Sequence, residues 1–231
     1  MLNLEALNSV NHYTIYLKNE GSDAKNFWCF LEKPVGVPDS AVFANSSATL
    51  NVVPDYGGTN KFVIPVQYSL AAGASNEEVG LGVQIETSIF RKAELKQTWE
   101  AKYATIPPNQ GPELNLVQGQ KSPDDTIALL SNNFNKKVNE NGKWFSNMSF
   151  GIQTQNGFLG VTWSPSPDDQ NTITPKFSFY IATGSFTNYE LADISTISRK
   201  SAKVELSDFK NLEATVTLTA TGDWLVTPGR V

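Results

Sequence analysis

Apolar and polar residues alternate with a period of two along most of this chain. Tyr13, Ile15 and Leu17 interleave with Thr14, Tyr16 and Lys18, the pattern of a strand with one buried face. Phe27-Trp28-Cys29-Phe30-Leu31 is a short unbroken apolar run, which predicts a strand buried on both faces. Residues 50–53, 62–70 and 79–90 read as further strands. Pro65 interrupts the second of these; it brings no N–H to a ladder and so marks an edge or a bulge. Residues 91–103 have the composition of a helix, but they follow a β run, and their second half reads as a strand.

The second half of the chain has stronger β signals. Residues 144–153 and 158–163 flank Asn156-Gly157, a pair that accepts the left-handed angles of a tight hairpin. Residues 176–182 alternate, residues 204–206 form a short piece, and the Thr-rich run 214–220 turns at Thr221-Gly222 and returns through 224–227. The connection Ile106-Pro107-Pro108-Asn109-Gln110-Gly111-Pro112 breaks the pattern, because three prolines and a glycine cannot continue a ladder. Ser122-Pro123-Asp124-Asp125 reads as a helix start, with a serine cap, a first-turn proline and carboxylates at the positive end of the dipole. Residues 127–130 would supply one or two turns. Ser-Pro-Asp-Asp recurs at 166–169 with different flanks, a shared turn rather than a duplicated domain. Short strands punctuated by turns predict an all-β, mostly antiparallel β-sandwich with at most one or two short helices. A closed or partly open β-barrel is the alternative. Residues 1–231 are treated as one unit, with 106–112 as the place of any subdivision.

Ile173-Thr174-Pro175-Lys176-Phe177-Ser178-Phe179-Tyr180-Ile181, followed by Gly184 and Asp193-Ile194-Ser195-Thr196-Ile197-Ser198, resembles a β-rich protein family of bacteria and fungi. Thr14-Ile15-Tyr16-Leu17-Lys18-Asn19-Glu20-Gly21-Ser22 looks like that family's first strand and turn. The resemblance covers the two ends of the chain. It implies an all-β fold and transfers neither an activity nor a catalytic residue.

Composition narrows the function classes. Charged residues make up only 18 % and the net charge is −5; the longest basic run is Lys136-Lys137, so no Lys/Arg face for nucleic acid is expected. The chain has one histidine, His12, and one cysteine, Cys29. An intrachain disulfide and a Cys/His zinc site each need at least two such residues. His12 reads as a strand-edge residue and Cys29 as a small core hydrophobe. No apolar stretch is long enough to span a bilayer. Met1-Leu2-Asn3-Leu4-Glu5 has no basic or apolar leader segment. The expected location is cytoplasmic, or outside after export without a classical signal.

The remaining candidates are binding residues. Aromatic planes stack on sugar rings and amides take hydroxyls, so Trp163, beside Ser164-Pro165-Ser166-Pro167, and Tyr56, beside Gly57-Gly58, are expected at a ligand-binding loop. Asp168, Asp169 and Asn171 bring oxygens to a turn. Asp168 and Asp169 are a weak calcium pair without the spacing of a dedicated calcium loop. No catalytic residue is nominated. The leading expectation is a non-enzymatic recognition or assembly module, taking carbohydrate or another small, neutral polar ligand or pairing with copies of itself through sheet edges. A membrane-active toxin component inserting the hairpin 214–227, and an enzyme with its pocket inside a barrel, are the alternatives.

Overall fold

A computed structural model describes residues 11–85, 89–104 and 111–231. The first strands are β1 (His12–Asn19), β2 (Lys25–Leu31), β3 (Val42–Ser46), β4 (Ala48–Val52), β5 (Asn60–Pro65) and β6 (Tyr68–Ser75). Next come β7 (Ile89–Ala93), β8 (Gln97–Lys102), β9 (Glu113–Lys121), β10 (Ile127–Ser131) and helix α1 (Lys136–Asn141). They are followed by β11 (Phe145–Thr154), β12 (Gly157–Trp163), β13 (Gln170–Ile173), β14 (Phe179–Thr183) and β15 (Glu190–Ala192). Helix α2 (Ile194–Arg199) precedes β16 (Ser201–Val204), β17 (Glu213–Leu218) and β18 (Trp224–Pro228).

These strands pair into four open sheets, in the orders β18-β17-β1-β5, β13-β10-β8-β9, β15-β3-β12-β11-β6-β7 and β16-β14-β2-β4. Neighbouring strands are antiparallel except for β1–β17 and β8–β10. Among the described residues no sheet closes on itself, so the architecture is sandwich-like and not a closed barrel. No helix among them is long and apolar enough to cross a membrane.

The period-two pattern explains how the sheets meet. Ile15 of β1 is opposite Phe62 of β5 and Ala214 of β17, and Leu17 is opposite Val216. All five share one apolar core with Phe27, Cys29 and Leu31 of β2, Phe150 of β11 and Ile127 of β10. β2 is buried on both faces, as its unbroken apolar run predicts. Its other face puts Trp28 and Phe30 with Ala182 and Ile197 in a second, smaller cluster beneath α2.

Several local expectations are corrected. Ser122-Pro123-Asp124-Asp125 opens no helix. It forms a turn in which the Thr126 N–H donates to Pro123 O at 3.2 Å and Asp125 takes a left-handed φ of 60°. Residues 127–130 are strand, because β8 and β13 offer ladder partners on both sides of β10. The second half of 91–103 is strand, as expected despite its helical composition: β7 ends at Ala93, Lys96 turns at φ 70°, and β8 follows. Among the described residues of 79–90, only Ile89 and Phe90 lie in a strand, and Gln84 makes an isolated bridge to Glu190. Residues 62–70 divide into β5 and β6, with Pro65 ending the edge strand β5. Of 204–206 only Val204 is strand; Leu206–Asp208 is a 3-10 turn. The two helices lie elsewhere, capped by Asn135 Oδ1 accepting from Val138 N–H at 3.1 Å and Asp193 Oδ1 accepting from Ser195 N–H at 2.9 Å. The Pro-rich connection falls largely on 105–110, outside the described residues; β8 and β9 on either side of it pair with each other.

Full burial raises the Cys29 thiol's pKa, disfavouring the thiolate that reacts. The native protein is expected to resist Ellman's reagent and to release one equivalent of thionitrobenzoate once unfolded in guanidinium. Rapid reaction of the native protein would show that β2 is exposed in solution.

Candidate functional site

The β11–β12 hairpin builds the most distinctive surface feature. Its register places Gly151 opposite Gly160. Neither has a side chain, and the Phe158 ring lies across the space they leave. A Cβ on Gly160 would overlap that ring, and one on Gly151 would come within 2.8 Å of it. Phe90 of β7 meets Phe158 edge-on at 5.5 Å. Phe158 is the buried member of the pair and Phe90 is 44 % exposed.

The hairpin tip is tied down by its own hydrogen bonds. Thr154 Oγ1 donates to Gly157 O at 2.8 Å and accepts from Asn156 N–H at 3.1 Å. Gly157 adopts φ 134°, and a Cβ there would lie 2.6 Å from Ser47 O, so glycine is required twice over. Ser47 Oγ donates to Phe158 O at 2.7 Å, joining the start of β12 to the turn between β3 and β4.

A cleft of about 450 Å³ opens between this tip, β7 and the loop before β15, lined among others by Asn45, Phe90, Gln153, Asn156 and Tyr189. Tyr189 has a left-handed backbone at φ 69°, uncommon for a bulky residue. Its N–H donates to Ser46 O at 2.8 Å, and its side chain is 67 % exposed. Asn45 Oδ1 accepts from Thr162 Oγ1 at 3.0 Å, which leaves its NH2 as the group to donate. No described lining residue carries a charge. The cleft therefore offers aromatic edges and faces, carboxamides and hydroxyls. Such a set can hold a neutral molecule that is apolar on one face and hydroxylated at its rim.

The RhiA family profile matches residues 10–229. The chain belongs to the RhiA family. No curated protein and no solved structure matches it. The family match runs through the middle of the chain as well as the two ends that carry the resemblance seen in the sequence.

In this RhiA-family fold the residues expected at a binding loop do not come together. Trp163 is only 1 % exposed. As the last residue of β12 it pairs with Met148 and joins the shared core, so its ring offers no face to a ligand. The Ser-Pro-Ser-Pro segment starts only after it. Tyr56 does remain on the surface, at 59 % exposure, but lines a different cleft.

Asp168 and Asp169 form the turn before β13, with Asp168 at φ 56°. The Asp169 carboxylate accepts from Gln170 N–H at 3.0 Å and Asn171 Nδ2 at 3.2 Å, and Asp169 N–H donates to Ser131 Oγ at 2.9 Å. Asn171 is buried. These bonds hold the turn together. Among the described residues no group of three or more His, Cys, Asp or Glu side chains gathers as a metal site. His12 starts β1, opposite Pro65.

Sequence reasoning missed Asn45, Phe90, Gln153, Asn156 and Tyr189. One signal for the cleft was available in part: the hairpin turns at Gln155-Asn156, one residue before the Asn156-Gly157 pair suggests, and only that register puts Gly151 opposite Gly160, where facing glycines make room for an aromatic ring. Gly160→Ala is expected to force Phe158 from its bed and to cost about 1–3 kcal/mol by overpacking, read from urea unfolding. Stability equal to the parent would mean that the ring does not lie across the glycine pair.

Proposed function

We propose that this RhiA-family chain is a non-enzymatic recognition module that takes a neutral polar ligand, carbohydrate first, in the cleft beside the β11–β12 tip. The observation that carries this reading is the lining itself, in which aromatic rings and carboxamides stand together without a charge among the described residues. A sugar's C–H face packs on an aromatic ring, while its hydroxyls both donate to and accept from amides. A charged ligand would leave its charge unpaired there.

The same lining favours binding over catalysis. Its described residues include no carboxylate, imidazole or thiol, and Ser47 Oγ is already bonded to Phe158 O. The membrane reading gains less support. Its hairpin is β17–β18, and β17 lies between β18 and β1. Releasing it would break a parallel ladder of six residue pairs.

A glycan array, followed by titration of any hit, tests the proposal. The parent protein is expected to retain uncharged glycans. Phe90→Ala and Tyr189→Ala should each weaken binding by about tenfold or more, as truncation of an anchoring aromatic does. Tyr189→Ala should leave the melting temperature unchanged, whereas Phe90→Ala also loses the edge-on contact with Phe158 and should melt slightly lower while still folding. Failure to retain any glycan, or equal retention by both variants, would overturn it.

A further inference from the structure

A second cleft, of about 430 Å³, opens on the outer face of β1, away from the shared core. Its floor is Tyr16, followed by Lys18 and Glu20. One wall is the loop between β4 and β5, with Asp55 and Tyr56. The other is formed by Arg230.

Each wall is held in place. Gly229 N–H donates to Glu213 O at 2.8 Å. Thr215 Oγ1 donates to Gly229 O at 2.8 Å and accepts from Val231 N–H at 3.3 Å, so residues 229–231 lie across the outer face of β17. This puts the Arg230 guanidinium 4.9 Å from the centre of the Tyr16 ring, with Nη2 3.4 Å from Thr59 Oγ1. Tyr16 is in turn fixed by its hydroxyl, which donates to Glu213 Oε1 at 2.7 Å. On the facing wall, Asp55 turns at φ 51°. The Tyr56 ring packs against Gly58, where any Cβ would overlap it, yet most of the ring stays open to solvent.

Two cations and two carboxylates thus line one small cavity. Among the described residues none of Lys18, Glu20, Asp55 and Arg230 is in an ion pair. Opposite charges sharing a cleft gain by meeting; here the stacked arginine and the turned aspartate are held on different walls. A molecule carrying both charges would bridge them, its anion on Arg230 through charge-assisted hydrogen bonds, its cation on Asp55 and over the Tyr56 ring.

We infer that this cleft is a binding site for a small zwitterion of the α-amino-acid class, separate from the uncharged cleft beside the β11–β12 tip. The two do not compete: one matches neutral hydroxylated ligands, the other paired opposite charges.

Saturation-transfer NMR with each common L-amino acid at millimolar concentration and low salt tests this on the full chain. At least one is expected to bind. For that hit, N-acetylation or carboxyl amidation should each weaken binding by about tenfold or more, as loss of a charge-assisted contact does. Arg230→Gln and Asp55→Asn should do the same at an unchanged melting temperature, whereas Phe90→Ala should leave it unaffected. The inference is overturned if no amino acid binds, if a singly charged derivative binds as well as its parent, or if binding survives both substitutions in the cleft.

Discussion

Four short sheets share one apolar core, and none of them has a core of its own. β1 and β17 contribute Ile15, Leu17, Ala214 and Val216, β2 contributes Phe27 and Leu31, β11 contributes Met148 and Phe150, and β10 contributes Ile127 and Leu129. A single twisted sheet with one apolar face is unstable in water until another layer covers it. Each sheet therefore holds its register because the other three do, and a one-residue slip in any of them would turn its core residues outward.

That arrangement leaves the outer faces and the strand ends for other chemistry, and the two clefts use them differently. Beside β11 and β12 the outer face carries the small residues Gly151, Gly160 and Ser149, which make room for one aromatic ring and a rim of amides. On the outer face of β1 stands Lys18, and the Arg230 guanidinium reaches over Tyr16 from the segment that lies across β17. A charge-poor composition suits the first site. At the second, the few charges present are gathered from β1, the β4–β5 loop and the segment after β18.

The strand pattern was legible wherever alternation or burial was decisive. The Ile15–Leu17 and Phe27–Leu31 runs, the Asn156-Gly157 hairpin and the return at Thr221-Gly222 all follow from local chemistry. The second half of 91–103 was legible as strand despite its helical composition; residues 127–130 were not, because a capping motif does not reveal that a strand stands ready to pair on either side. Trp163 shows the same blindness at the level of the site. The residues that follow it in sequence are loop residues, but the period of two runs unbroken through β12 and puts Trp163 with Leu159 and Val161 in the core, on the face opposite Phe158. Tyr189 and Asn45 come together only through the pairing of β15 with β3. That contact links residues far apart in the chain and leaves no local trace.

The parallel pairing of β1 with β17 also has a consequence in time. Thr14 to Asn19 lie beside Glu213 to Leu218, so β1 must wait for a partner made about 200 residues later. At a synthesis rate of about 5–20 residues per second, the wait is roughly 10–40 s. During it β1 has only β5 beside it, and its other edge is open to any extended segment nearby. The nascent chain thus passes through a long interval as an incomplete sheet. A chaperone that shields strand edges, or a pause in translation, would bear on yield through this strand before any other.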